Sequence, residues 1–382
     1  MNPIVIIGTG LAGYTLAREF RKLDAETPLV LISADDGAFY SKPMLSNALA
    51  QGKDAAALVN TSADKMAEQL SARILTHTRV TGVDAQARQV VTDQGAMPYS
   101  RLVLAMGADP IRLPLAGEAA NAVLSVNDLA DYARFREALE NGPRVALLGA
   151  GLIGCEFAND LAGHGFSVDV IDLAPLPLGR LLPEACGIAM RDALTAAGIR
   201  LHLATQVERI EHAVNGVRLT LASGEAIDAD TVLSAVGLRP RTALAEAAGL
   251  AVGRGVKVDR ELRSSAAGVY ALGDCAEVDG VVLPYVMPIM HAARALAKTL
   301  AGTPTAVAYP AMPVMVKTPA LATVVNPPAP GSEGEWRVSG QAPDIRADYV
   351  TPDGRLLGVC LMGEATKQKQ AVTRDLPSPL AA

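Results

Sequence analysis

Two glycine runs and a few charged residues are where this 382-residue chain has chemistry written into residue type and spacing. The runs are Gly8-Thr9-Gly10-Leu11-Ala12-Gly13 and Gly149-Ala150-Gly151-Leu152-Ile153-Gly154. Each follows a short apolar stretch, Ile4-Val5-Ile6-Ile7 and Val145-Ala146-Leu147-Leu148. That order suits a turn that lays a dinucleotide pyrophosphate on a helix N-terminus. One glycine makes the turn, one lets the backbone approach the phosphates, and one lets helix and strand pack. Two such turns suggest two dinucleotides, and two bound redox carriers imply electron transfer between them.

The charged residues extend this reading. An acid that holds a ribose is expected about 20 residues after each glycine run, at the end of the next strand. In the second unit the strand 168–171 ends at Asp172, placed to bind the 2′-hydroxyl of NADH and to repel the 2′-phosphate of NADPH. In the first unit that place holds Ser33, and Asp35 just beyond is either a displaced ribose acid or a solvated turn carboxylate. Lys42 precedes Pro43, which can open a helix, and is either a phosphate or flavin contact or an exposed loop lysine. Glu156 sits in a helical first turn, either for helix-end electrostatics or beside a nicotinamide. Asp274 ends the apolar run 269–273 and can accept hydrogen bonds from a sugar-like hydroxyl chain or cap a helix. Lys317 lies within a β-like run, at an edge or aimed into an active site. His291 and Trp336 read as packing residues.

The elements that must position these residues repeat. Residues 3–8, 11–23 and 28–33 read as strand, helix, strand. Residues 73–95 read as β-structure with turns, and Asn215-Gly216 between 207–210 and 217–221 signals a hairpin in the second half. Ala105, Gly107 and Pro110 match Ala235, Gly237 and Pro240 at one constant offset. The chain therefore reads as two similarly folded dinucleotide domains, with a crossover near 111–118. A helix over 128–139 lies between them, and another from 286 runs through Leu300. After Gly302-Thr303-Pro304 the short β-like runs suggest a small α+β C-terminal domain.

Composition sets bounds. At about 150 residues per domain the length suits two or three domains. Charged residues are 19% and the net charge is -6, which argues against a general nucleic-acid binder. The cysteines, Cys155, Cys186, Cys275 and Cys360, lack the spacing of a zinc site or a disulfide framework, which fits a reducing, cytoplasmic setting. No run approaches ~18 unbroken apolar residues, so no membrane span is expected.

The two glycine runs, Ala235-Val236-Gly237-Leu238-Arg239-Pro240 and Leu272-Gly273-Asp274 together resemble the two-dinucleotide flavoprotein reductases of the glutathione-reductase type, over about residues 4–300. Residues 40–46, 149–161, 270–280 and 313–319 resemble in particular the bacterial rubredoxin reductases of that family. The resemblance implies an α/β fold with two Rossmann-like dinucleotide-binding domains and a small C-terminal domain. The boundaries it implies are 1–115 and 241–303 for a FAD domain in two pieces, 116–240 for an inserted NAD domain, and 304–382 for the C-terminal domain. It implies FAD on the first glycine run, NADH on the second, Asp274 on the ribityl chain and Glu156 near the flavin–nicotinamide contact. The expected catalytic residues are Glu156, Lys317 and Lys42. The expected cofactor-binding set is Gly8, Gly10, Leu11, Ala12, Gly13, Ser33, Asp35, Lys42, Pro43, Val80, Ala105, Gly107, Gly149, Gly151, Ile153, Gly154, Asp172, Gly237, Gly273, Asp274, Val286 and Lys317.

Three departures from the family pattern stand out. Related ferredoxin reductases carry Arg-Pro-Pro-Leu-Ser-Lys where this chain has Lys42-Pro43-Met44-Leu45-Ser46-Asn47, so their flavin-side lysine is replaced by Asn47. Lys317 is expected to supply that positive charge beside N5, paired with Glu156. Met106 replaces a threonine, and Ser33 replaces an acid. Residues 36–54 contain no cysteine, so electrons must leave the flavin directly rather than through a thiol. The expected reaction is hydride transfer from NADH to flavin N5, then single electrons to rubredoxin, a small acidic iron protein, at a basic docking patch. The alternatives are an NADH-dependent ferredoxin reductase, a flavin NADH oxidase, and a nucleotide-sensing FAD scaffold without turnover.

Overall fold

In the computed structural model, which describes residues 1–380, the first apolar run forms the strand Ile4–Ile7, buried along its whole length. A strand apolar on every residue must be covered on both faces, which is the habit of parallel sheets. Here it is the centre of a five-stranded parallel sheet ordered 269–271, 101–104, 4–7, 29–32, 73–75. Helices Leu11–Arg21 and Val286–Leu300 pack side by side against it. The strand Val269–Ala271 enters this sheet only after the chain has built a second one. That second sheet is also parallel, ordered 200–202, 167–171, 144–148, 231–234.

Each parallel sheet is accompanied by a three-stranded antiparallel meander, Val80–Asp84 to Gly95–Pro98 in one half and Val207–His212 to Ala226–Ala229 in the other. The Asn215-Gly216 hairpin forms where the dipeptide signals it. Gly216 has φ +79°, and a Cβ there would fall 2.1 Å from the Ala229 carbonyl oxygen.

The two segments matched by a constant offset prove to be partners. Ala108–Pro110 and Leu238–Pro240 form an antiparallel ribbon, with Asp109 opposite Arg239. Arg241 ties it down, donating from Nε to Asp109 at 2.7 Å and from Nη1 to the Met106 carbonyl at 3.0 Å. Both passages of the chain are thus bound at 108–110 and 238–240. Residues 111–118, the expected crossover, run on from this ribbon to the second meander, where Ala116 bridges to Arg209.

The C-terminal region is a five-stranded antiparallel sheet ordered 314–316, 323–326, 356–362, 344–350, 335–341, followed by a 3₁₀ turn and the short helix Lys369–Thr373. Its Val316, Val325, Cys360 and Met362 share a core with Phe135, Phe157 and Leu161 beside the second parallel sheet. Among the described residues no helix is long and apolar enough to cross a membrane.

Candidate functional site

A continuous cleft of about 2780 Å³ is lined by both glycine runs. It exceeds the ~300–1,000 Å³ of an ordinary small-molecule pocket, so it has room for two extended ligands. The turns at its floor are built alike. Gly8 has φ +113°, and a Cβ on it would lie 2.2 Å from the Ala105 carbonyl oxygen. Gly149 has φ +108°, with Ala235 in the same role at 2.8 Å. A Cβ on Gly13 or Gly154 would strike the carbonyl oxygen of Gly8 or Gly149 at 2.0 or 1.9 Å. Gly10 and Gly151 have nothing within 4 Å of that position, so the backbone there is open to a ligand. Both following helices start without a side-chain cap, which leaves their first N–H groups available.

Beside the second turn, Asp172 is half-buried and accepts from the backbone N–H groups of Ala150 at 2.5 Å and Ala174 at 2.7 Å. Beside the first turn, buried Ser33 shares a 2.6 Å hydrogen bond with the Thr9 hydroxyl and bonds on to Asp35, which also accepts from the Gly37 N–H. Asp35 is therefore exposed but joined through Ser33 to the turn.

Val80, Ala105, Gly107, Gly237, Val286 and Ile153 also line the cleft. Gly273, with φ +78°, brings the 3₁₀ turn Gly273–Cys275 against Ala12 of the first helix. Asp274 faces the cleft, and no hydrogen-bond donor among the described residues meets its carboxylate. Burial pushes its carboxyl up, and nearby Lys42 partly offsets this. Burial likewise pushes the Lys42 amine down, and Asp274 opposes that. Lys42 Nζ donates to Asn127 Oδ1 at 2.6 Å, and Asn127 in turn donates to the Ala108 carbonyl.

The structure brings Glu156 and Lys317 together across 161 residues. Glu156 is 1% exposed and Lys317 Nζ lies 2.9 Å from its Oε2. The Lys317 backbone N–H donates to Oε1 at 3.0 Å. The Ser46 hydroxyl donates to Oε2 at 2.6 Å and accepts from Lys317 Nζ at 2.9 Å, and Nζ also donates to the Pro43 carbonyl. A buried carboxylate with this many donors is a charge fixed in place rather than an isolated penalty. Lys317 directly follows Val314–Val316, the edge strand of the C-terminal sheet, and its side chain turns inward onto Glu156.

A model of the pyridine nucleotide-disulphide oxidoreductases matches residues 2–299, and one named the rubredoxin binding C-terminal domain matches residues 306–376. The chain belongs to the pyridine nucleotide-disulphide oxidoreductase family. It is 49% identical over 383 residues to a rubredoxin-NAD(+) reductase of Alcanivorax borkumensis, covering 99% of each chain. It is 46% identical over 391 residues to one of Acinetobacter baylyi, covering all of both. Among solved structures it superposes on a ferredoxin reductase from Rhodopseudomonas palustris with TM-score 0.89 and 26% identity, covering 98% of this chain and 95% of that one.

The disulphide in the family's name has no counterpart in this chain. Among the described residues all four cysteines are free and buried. Burial pushes the Cys155 thiol up to about 12 and the Cys275 thiol to about 11, so both stay protonated as small packing groups. His291 and Trp336 are packed edge-to-face on Tyr309 and Tyr349.

Some residues of this site went unread in the sequence. Ser46 and Asn127 are buried partners of the two lysines. Asn159 accepts from the Ala320 N–H, and Asp160 accepts from the Leu49 and Ala50 N–H groups. For Ser46, Asn159 and Asp160 a signal existed, since they fall inside the motifs that carry the family resemblance.

Proposed function

We propose that this chain is a rubredoxin–NAD(+) reductase, a FAD enzyme that takes hydride from NADH and delivers electrons to rubredoxin. The observation that carries the reading is the pair of like glycine turns opening on one cleft, with Glu156 and Lys317 fixed along it. FAD fits the first turn: Gly10 is open, and the half-buried Asp274 carboxylate faces the cleft without a protein donor, suited to a ribityl hydroxyl. Its other holders are Gly8, Leu11, Ala12, Gly13, Ser33, Asp35, Lys42, Pro43, Val80, Ala105, Gly107, Gly273 and Val286. NADH would lie on Gly149, Gly151, Ile153 and Gly154, with Asp172 and Gly237.

When bound, the flavin supplies a hydride acceptor at N5 and the ability to release electrons singly. The chain supplies binding, position and charge. The uncapped helix N-termini at Leu11 and Leu152 would face the two pyrophosphates. Asp172 would accept from a ribose 2′-hydroxyl and repel a 2′-phosphate, which would favour NADH. Lys317 holds a positive charge that Glu156 orients, and Lys42 adds a second one near Asp274. Among the described residues no cysteine lines the cleft, so electrons would go directly to a one-electron carrier.

The division into 1–115 with 241–303, 116–240 and 304–382 is supported by the late entry of Val269–Ala271 into the first sheet. A cytoplasmic setting agrees with four free thiols. The exposed Arg239, Arg241 and Arg254 at the cleft rim are candidates for the basic patch that meets an acidic carrier.

Steady-state NADH oxidation with rubredoxin or a [2Fe–2S] ferredoxin, from low to high salt, tests the carrier. The expected result is preference for rubredoxin and a rate that falls as salt rises. Preference for ferredoxin would contradict the assignment of the partner, and a flat salt profile would contradict the patch.

A further inference from the structure

We infer that Ser46 is a positioning residue that holds the Glu156–Lys317 pair in its working geometry. Glu156 Oε2, Ser46 Oγ and Lys317 Nζ form a closed triangle with sides of 2.6, 2.9 and 2.9 Å. Ser46 is the only member without charge. Its hydroxyl has one hydrogen to give and lone pairs to accept, so it can serve a carboxylate and an ammonium at once. It is 2% exposed, and a buried hydroxyl needs the partners it has here.

Local structure explains how it arrives there. Pro43 stands at the start of the 3₁₀ turn Lys42–Asn47. In a 3₁₀ turn, residues three apart lie on one side, so the Pro43 carbonyl and the Ser46 side chain face the same point. Lys317 Nζ occupies that point, donating to the Pro43 carbonyl and the Ser46 hydroxyl and ion-paired with Glu156. Lys317 is still 32% exposed, so it has room to swing away once an anchor is lost. Ser46→Ala removes a donor from Glu156 and an acceptor from Lys317 while leaving both charges present. That separates position from charge.

The inference rests on the reading that Lys317 faces the flavin, and the experiment keeps the two apart. Ser46→Ala, Ser46→Thr and Lys317→Met are compared as flavin-loaded proteins in three measurements: flavin midpoint potential, NADH dissociation constant, and rate of flavin reduction by NADH. In Ser46→Ala we expect the potential to move negative, toward the Lys317→Met value, and the rate to drop about tenfold. NADH affinity should stay within about twofold, and Ser46→Thr should restore most of both losses. If Lys317→Met shifts the potential and Ser46→Ala leaves potential and rate unchanged, the role of Ser46 is overturned while the reading of Lys317 stands. If Lys317→Met shifts nothing, the reading beneath it is overturned as well.

Discussion

The two glycine-turn units share a backbone plan and differ in what they bury. In both, glycines stand where an added Cβ would fall about 2–3 Å from a backbone carbonyl, so only glycine lets strand, turn and helix approach this closely. The first helix, Leu11–Arg21, buries Tyr14, Leu16, Ala17 and Phe20 and serves as apolar scaffold. The second, Leu152–Ala162, buries Glu156, Asn159 and Asp160. These meet Ser46, Leu49 and Ala50 on one side and Lys317 and Ala320 on the other. A buried polar group is costly unless partnered. Three on one helix, all partnered across long sequence gaps, mark it as the junction where the nucleotide turn, the 41–51 segment and the C-terminal sheet are held in register.

The largest test of this contrast is at the packed glycines. Gly154→Ala puts a Cβ into a carbonyl at 1.9 Å, Gly13→Ala at 2.0 Å. Gly154→Ala should keep bound flavin and lose at least about 100-fold in reduction by NADH, whereas Gly13→Ala should purify without its yellow colour. Absorbance at the flavin band and stopped-flow read the two outcomes, and an exchange of phenotypes would reverse the assignment of the units.

A smaller effect sharpens the difference at the ribose ends. Asp172 stands at the strand end where the first unit has Ser33. Asp172→Ala should lower the NADH-over-NADPH preference by about 10- to 100-fold, measured as the ratio of kcat/KM values. An unchanged ratio would show that Asp172 serves only its bonds to Ala150 and Ala174.

The smallest effect is on stability. Burial raises the Asp160 carboxyl, against the pull of the Leu49 and Ala50 N–H groups. A raised folded value means that the native state holds its proton more tightly than the unfolded chain. Stability from this group is full below the ordinary carboxylate range, near pH 4, and declines as pH climbs through the raised value. Thermal melts of Asp160→Asn should therefore gain on the wild type as pH rises from about 4 to 6. A constant difference across that range would remove Asp160 from the account.

What was legible in the sequence was local. The glycine spacing, the apolar strands and the Asn215-Gly216 turn are set by neighbours a few residues apart, and they stand where the pattern puts them. The direction of Lys317 was not legible because its partner Glu156 lies on a helix far back in the chain; it follows an edge strand and still turns inward, which only tertiary packing sets. The strand Asp344–Val350 carries the alternation of a half-buried strand, with Ile345 and Ala347 buried between Asp344, Arg346 and Asp348. The matched segments around Pro110 and Pro240 suggested a repeat; that they pair with each other is a long-range fact no spacing carries.

The most direct test of the central claim is anaerobic double-mixing stopped-flow on the flavin-loaded protein, with NADH or NADPH first and oxidised rubredoxin second. The account predicts fast bleaching of the flavin by NADH, slower bleaching by NADPH, and rapid return of the flavin absorbance as rubredoxin is reduced. A flavin that stays oxidised in NADH would contradict it at the second glycine turn. A reduced flavin that ignores rubredoxin would contradict it at the carrier.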